Sequence, residues 1–386
     1  MQSPPGLSIR TKNLHASPIR EILSVLEKQG MISFAGGLPA ASTFPILDML
    51  PPAGILQYGS TEGDIALRIV IAAELREQGL DCRPEQILIL SGSQQGIDLV
   101  AKLFVDAGTP VAVESPTYLA ALQVFRLFGA RFLSFNMNGQ NNFSWERDRP
   151  ALAYAIPTFQ NPTGHCYNMA QRQQLAAACD QHQVPLFEDD PYRDLAYEHT
   201  DRTPVCALLK SAPWIYQGSF SKTLAPGLRL GFMAASPQLM PYLTRLKQAA
   251  DLHSNRLSQW LVLQHLQHPE KAARINVLVS HYRQKRDQFS LCLRQYFSDI
   301  ATWEAPQGGL FFWLTLNARI DTRTLLPVAI EQGIAFMPGE HFYPDSRDGI
   351  GTMRLNFSHA SEEEMRCGLE KLGQLIKNAP QYSSNT

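Results

Sequence analysis

The sequence predicts an α/β protein: a mostly parallel, seven-stranded sheet sandwiched by helices, with a smaller α+β domain beside it. Three observations carry that expectation. From about residue 86, short apolar runs alternate with amphipathic stretches of helical length, the pattern of a sheet covered on both faces. The polar residues that stand out follow those runs: Ser93 and Gln94 after Ile87–Leu90, Asn161 after Leu152–Ile156, and Asp189 after Val184–Phe187. Ligands of such sheets bind beyond the carboxyl ends of the strands, so these positions converge on one place. Past Trp303 the alternation gives way to a different mixture of short strands and helices.

In chain order, Ser17–Glu27 reads as a first helix. Ser17 can cap it, Pro18 suits its first turn, and Ile19, Ile22, Leu23 and Leu26 form one apolar face. Gly30 ends it, and Ser33-Phe-Ala-Gly-Gly-Leu-Pro39 follows as a loop whose glycines, Gly36 and Gly37, let backbone approach a ligand closely. The seven strands are Ile87–Leu90, Val111–Val113, Arg131–Phe135, Leu152–Ile156, Val184–Phe187, Trp214–Gln217 and Arg229–Ala234, with helices over 96–105, 118–128 and 172–181. Residues 237–297 read as helical and connecting. Then come a strand at Gly308–Leu314, a helix at Thr324–Gln332, strands at Ile334–Met337 and Met353–Phe357, and a last helix at Glu362–Lys377. This divides the chain into an N-terminal arm (1–45) that joins the small domain and the substrate pocket, a large ligand-binding domain (46–270) and a C-terminal small domain (271–386).

Composition excludes several classes. A net charge of −1 over 386 residues gives no general attraction to nucleic acid or to an anionic membrane. The cysteines Cys82, Cys166, Cys179, Cys206, Cys292 and Cys367 lie far apart, with neither metal-ligand spacing nor a disulfide framework. No apolar run is long enough to span a bilayer or to form a signal core. The expectation is a soluble cytoplasmic protein without a bound metal.

The chemistry centres on Gly218-Ser-Phe-Ser-Lys-Thr-Leu-Ala-Pro-Gly-Leu-Arg-Leu-Gly231. Lys222 stands in the loop between two buried strands, flanked by Ser219 and Ser221 and followed by Arg229. By itself a Ser-Lys loop is more often a solvated surface turn. Held in such a place, a neutral lysine amine can condense with an aldehyde, as in the Schiff-base lysines of pyridoxal phosphate enzymes. The serines and Arg229 would then take a phosphate. Asp189, at an acidic strand end, suits a metal, a base or a partner for a cationic ring nitrogen. Asn161 lies in a turn-rich loop, and Tyr192 follows the acidic strand end. Ser93 and Gln94 open a helix whose N-terminus can receive a phosphate. Tyr118 offers a planar face, and Arg354, a charge in an apolar strand, suits a carboxylate.

Taken in order, Asn161-Pro-Thr-Gly164, Asp189-Asp-Pro-Tyr192, Ser219-Phe-Ser-Lys222 with Arg229, and Arg354 resemble the fold-type I pyridoxal-phosphate aminotransferases. More narrowly they resemble the 2-aminoadipate and kynurenine aminotransferase branch. The likeness spans about Ser33 to Gly373 and includes Leu56-Gln-Tyr58-Gly-Ser-Thr-Glu-Gly63, Glu114-Ser-Pro-Thr-Tyr118 and Met337-Pro-Gly-Glu-His-Phe342.

The resemblance implies pyridoxal 5′-phosphate as cofactor, with Lys222 the Schiff-base lysine and Asp189 the partner of the pyridine nitrogen. Asn161 and Tyr192 contact the phenolic oxygen, and Tyr118 stacks on the ring. Ser93, Gln94, Ser219, Ser221 and Arg229 bind the phosphate, with Tyr58 reaching in from the second subunit of a homodimer. Arg354 and Asn161 hold the substrate α-carboxylate, while Arg20 and Gly37 border the substrate. The implied reaction is a ping-pong transfer of an amino group between an L-amino acid and a 2-oxo acid. Elimination, racemisation, decarboxylation or cyclisation on the same scaffold, and a non-catalytic sensing domain of the kind fused to transcription regulators, are the alternatives. One departure stands out: Asp48–Ile55 is short for the family and holds Pro51-Pro52-Ala-Gly54 where a helix is expected.

Overall fold

The computed structural model describes residues 6–14, 30–45, 49–137 and 145–380. The expected helix Ser17–Glu27, and Arg20 with it, lies outside the described residues. The chain enters through β1 (Ile32–Ser33) and helix α1 (Ile65–Glu77). It then runs β2 (Ile87–Leu90), α2 (Ser93–Phe104), β3 (Pro110–Glu114), α3 (Leu119–Leu127), β4 (Arg131–Phe135), β5 (Leu152–Ala155), α4 (Met169–His182), β6 (Leu186–Asp189), β7 (Trp214–Ser219) and β8 (Gly231–Ala235). Three helices follow: α5 (Met240–Asp251), α6 (Arg256–Leu266) and α7 (Lys271–Phe297). The last part runs β9 (Ala301–Trp303), β10 (Phe311–Leu316), α8 (Thr322–Glu331), β11 (Ile334–Ala335), β12 (Met337–Pro338), β13 (Thr352–Asn356) and α9 (Glu362–Asn378).

β2 through β8 form a seven-stranded sheet of order β2-β8-β7-β6-β5-β3-β4. The pairs β4/β3, β3/β5, β5/β6 and β6/β7 are parallel, while β8 runs antiparallel to both β7 and β2. The fold is thus α/β with a mostly parallel sheet, as the strand–helix alternation predicts. Both faces are covered, which is why the strands read as unbroken apolar runs. Along β2, Ile87 and Ile89 join one core, with Ala153 and Leu186; Leu88 and Leu90 join the other, with Tyr154, Phe187 and Ile215.

One reversed strand matters for the site. Because β8 alone opposes its neighbours, its first residue, Gly231, lies at the edge where the other six strands, β2 to β7, end. Residues entering β8 therefore meet those leaving the others.

A second, antiparallel sheet has the order β12-β13-β10-β9, and β1 pairs in parallel with β11. Its core gathers Phe34, Phe289, Phe312, Phe357, Leu369 and their neighbours. The run 334–337, expected as one strand, divides: Ile334 and Ala335 pair with β1, whereas Met337 and Pro338 pair with β13. Two different partners on either side of Phe336 break the strand. Helix α1 buries Leu67, Ile71, Ala72 and Leu75, but Ile65 and Ile69 are exposed. Apolar residues on both faces blur the helical period there, so the sequence does not signal this element. In the segment expected to depart from the family, a 3-10 turn covers Ala53–Leu56.

Helix ends follow their capping chemistry. α4 begins with a reciprocal Asn168/Gln171 capping box and α9 with Ser361/Glu364. Three glutamates in the first turn of α9 oppose the positive end of its dipole. No helix among the described residues is long and apolar enough to cross a membrane.

Phe289 anchors the second core. It stacks on Phe312 (5.3 Å between centroids) and meets Phe34 edge-on (5.4 Å). Phe289→Ala is expected to cost about 3–5 kcal/mol, read as a lower urea midpoint for unfolding.

Candidate active site

The loop after β7 brings Lys222 back across the carboxyl edge of the sheet. Its Nζ donates to the carbonyl of Gly37 (2.8 Å), in the loop that follows β1. A methyl group on Gly37 would come 3.1 Å from the ring of Phe311 and 3.9 Å from Lys222 Nζ, so glycine keeps this approach open. Burial, then the positive charges of Arg354 and Arg229, lower the lysine's pKa to about 8. Among the described residues no carboxylate pairs with the amine, so near neutrality a usable fraction is a free nucleophile.

Asp189 ends β6 and is buried, 4 % exposed. Tyr154 Oη donates to its Oδ2 (2.8 Å) and Gln217 Nε2 to its Oδ1 (3.0 Å). Burial raises its pKa to about 6 against those two bonds. A cationic group brought alongside would restore full ionisation. Gln217 is itself fixed by packing: a Cβ on Gly96 would fall 1.8 Å from its Oε1. Only glycine in α2 leaves room for it.

Arg354, on β13, is 3 % exposed. Its guanidinium donates to Asn161 Oδ1 (2.7 Å) and to the carbonyl of Ala35 (2.6 Å), and its Nε has no partner. It lies over the ring of Phe311 (4.1 Å) and near that of Phe342 (5.0 Å). Burial lowers its pKa to about 10, so it is a cation at neutral pH. A buried cation served by neutral acceptors and ring faces could receive a carboxylate. Tyr192 packs edge-on against Phe311 (5.7 Å), and burial raises its phenol pKa. The Tyr118 phenol is raised to about 12 by burial and by Asp189, against the charges of Arg354 and Arg229. One electrostatic cluster therefore joins Lys222, Asp189, Tyr118, Tyr192, Arg354 and Arg229.

At the other end, helix α2 starts after Gly92 (φ +82°) with no side-chain cap, leaving N–H donors of its first turn open at Ser93 and Gln94. Arg229, itself in the left-handed region (φ +47°), lays its guanidinium against Gly92, where a Cβ would meet it at 2.6 Å. A Cβ on Gly231 would come 3.0 Å from Ser93 N. Ser219 Oγ accepts from Ser221 N (3.2 Å). Open amides, an arginine and two serines form an anion cradle.

The Asn161 loop is held from beneath by a residue that sequence reasoning missed. Arg172 is fully buried and donates to the carbonyls of Pro157 (3.1 Å), Tyr167 (3.0 Å), Asp201 (3.0 Å) and Thr203 (3.0 Å), and to Thr158 Oγ1 (3.0 Å). Glu114 accepts from Ile156 N (2.7 Å) and from Tyr167 Oη, and burial raises its pKa to about 7. Gln160 Nε2 bonds the carbonyl of Pro116 (2.9 Å), tying this loop to the one that carries Tyr118. Phe311, Tyr154 and Gln217 were missed as well. A polar residue inside a strand buried on both faces was the available signal for the last two. Tyr58 stands apart from the cluster: it is 77 % exposed and packs edge-on against His253 (5.7 Å).

Residues 48–372 match the model of the family described as Aminotransferase class I and II. The chain belongs to the class I and II aminotransferases. Among curated relatives of this aminotransferase is the aromatic-amino-acid aminotransferase 1 of Thermococcus litoralis, 36% identical, with 96% of this chain and 94% of the relative covered. Among solved structures, the α-aminoadipate aminotransferase of Thermus thermophilus, complexed with N-(5′-phosphopyridoxyl)-L-leucine, is 35% identical with a TM-score of 0.87, covering 96% of this chain and 97% of that one. The kynurenine aminotransferase of Pyrococcus horikoshii is 32% identical with a TM-score of 0.89, over 96% and 97%. The protein is therefore a pyridoxal-phosphate-dependent aminotransferase acting between an amino acid and a 2-oxo acid. The residues present fit the cofactor: an anion cradle, a buried carboxylate, a lysine of lowered pKa and an arginine whose Nε is unpartnered among the described residues converge on one edge.

The lysine's pKa makes a pH prediction. Its ordinary value is 10.5, so between about pH 8 and 10.5 the unfolded chain binds the proton that the folded chain has released. Stability of the cofactor-free protein gains from this group as pH rises through that window. An amine-specific reagent should label Lys222 with a midpoint near pH 8; a midpoint above 10 would remove the argument.

Proposed function

We propose that Lys222 would hold pyridoxal phosphate through its aldehyde and would move the α-proton of the amino donor, while Arg354 and Asn161 would hold the donor's carboxylate. The observation that carries this reading is the pairing of a lysine with lowered pKa and a buried arginine without a carboxylate, both bonded to carbonyls of the same loop, Gly37 and Ala35. The cofactor, when bound, supplies an electron sink for the bonds of the donor's α-carbon. Asp189 would meet its ring nitrogen, kept in place by Tyr154 and Gln217. Ser93, Gln94, Ser219, Ser221 and Arg229 would take its phosphate, and Tyr118, Tyr192 and Asn161 would border the ring. Lys222 Nζ would take the proton from the donor's α-carbon and hold it on that face, and the fixed carboxylate would decide which bond faces the amine.

Relatives named for aromatic amino acids, α-aminoadipate and kynurenine support an L-amino acid with a long or aromatic side chain as donor. Gly37 borders the side of the site where that chain would lie, and Arg20 is the further residue we assign to it. Leu56, Tyr58 and Leu257 are exposed and line one groove of about 510 Å³. An exposed apolar groove of this kind supports a homodimer in which a second copy of the chain would cover it and Tyr58 would reach the partner's phosphate.

In Lys222→Ala the absorbance band of the cofactor-bound lysine should vanish and transamination should fall by at least a thousandfold. Retained turnover would sink the assignment. Arg354→Leu should raise KM for the donor strongly while the cofactor band persists. A screen of amino acids, following the colour change of the half-reaction, identifies the donor.

A further inference from the structure

A polar network behind the anion cradle involves none of the residues assigned above. Ser91 and Gln95 flank the turn that opens α2. Ser91 Oγ donates to Asp251 Oδ2 (2.7 Å), Gln95 Nε2 donates to the same oxygen (2.8 Å), and Ser91 N–H donates to Gln95 Oε1 (2.9 Å). Lys247, whose side chain is fully buried, donates to Asp251 Oδ1 (2.5 Å). Burial acts to raise the Asp251 pKa, but the bonds from Lys247, Ser91 and Gln95 outweigh it and hold the group below the ordinary carboxylate value. The acceptor is ionised.

The backbone around Asp251 is unusual. Asp251 closes α5, and the next residue, Leu252, has φ +62° and ψ −61°. His253 N–H donates to the carbonyl of Asp251 (2.7 Å), which makes a three-residue γ-turn of the strained, positive-φ form. A bulky side chain persists there only where its surroundings over-determine it. Ser254 supplies part of that constraint: its Oγ bonds the carbonyl of Ile89 (3.2 Å) and lies 3.2 Å from Ser91 Oγ, while its own carbonyl accepts from Gln259 (2.9 Å).

These bonds occupy the polar side chains on either side of the turn. The side chains of Ser91 and Gln95 point away to Asp251, and what remains free at the start of α2 is the backbone of Ser93 and Gln94 beside Arg229. We infer that Asp251 is a positioning residue for the cofactor phosphate, anchoring the Ser91–Gln95 turn so that the open N–H groups of Ser93 and Gln94 face the anion. The inference rests on the phosphate reading of the cradle proposed above.

The test separates the two. Cofactor is removed from the holoenzyme, and the protein is titrated with pyridoxal phosphate and, in parallel, with pyridoxal, which lacks the phosphate. Arg229→Met should abolish most of the preference for the phosphorylated form; if the full preference survives, the phosphate reading itself fails. With that reading standing, Asp251→Ala is examined together with Lys247→Met, which removes the buried cation that Asp251→Ala alone would strand. The pair should weaken pyridoxal phosphate about tenfold, or about 1.4 kcal/mol, and leave pyridoxal within about twofold. Ser91→Ala, which removes one bond to Asp251 without altering a charge, should weaken pyridoxal phosphate in the same selective way by a smaller factor. It decides the matter alone if the paired variant does not fold. Equal weakening of both ligands, or none of the phosphorylated one, overturns the inference.

Discussion

A guanidinium held out of water without a carboxylate sets the terms for this molecule. Burying an unpaired charge costs several kcal/mol unless dipoles and hydrogen bonds replace the lost solvent, by order-of-magnitude accounting. Arg354 obtains that replacement from four separate parts of the chain: the carbonyl of Ala35 beyond β1, the amide oxygen of Asn161 beyond β5, and the rings of Phe311 and Phe342. Satisfying one side chain therefore fastens the N-terminal loop and the second sheet to the edge of the first. What is left over, an Nε without a partner among the described residues and a net positive charge, is what a substrate carboxylate would answer under the proposed reading.

The chemistry beside it depends on direction rather than on identity alone. Six strands point their carboxyl ends at the same edge, and the one reversed strand begins there. Short polar loops thus meet without long excursions. Each functional group is then aimed by a buried polar residue behind it: Gln217 and Tyr154 behind Asp189, Arg172 behind the Asn161 loop, and Glu114 between β5 and the loop of Tyr118. These supports are where a catalytic geometry is kept within tolerance.

Much of the site was legible because a charged residue that ends an apolar run is conspicuous. Asp189 announces itself that way, Arg354 as a charge inside an apolar strand, and Lys222 and Asn161 by the turn-rich loops that follow strands; their order carried the resemblance. The supporting residues were not legible, because their work is a contact. Gln217 looks like an ordinary strand residue until its amide is seen against Asp189, and Phe311 is one aromatic among several in Leu310-Phe-Phe-Trp313. The same limit applied to the fold. Strand existence followed from apolar runs, but the split between Ala335 and Met337 depends on two partners distant in sequence, and α1 was hidden by exposed Ile65 and Ile69. Asp189 was expected beyond its strand and instead closes it, pairing with Gln217 in the ladder.

The reversal of β8 has one more consequence. Lys222 and Arg229 belong to a single connection between two adjacent, hydrogen-bonded strands, so the spacing between the reactive amine and the anion cradle is set locally. Arg354 belongs to another sheet. Any displacement of that sheet changes the distance from carboxylate receptor to amine and leaves the distance from amine to cradle alone. The amine and the anion cradle are thus tied to one sheet, while the arginine opposite them is carried by the other.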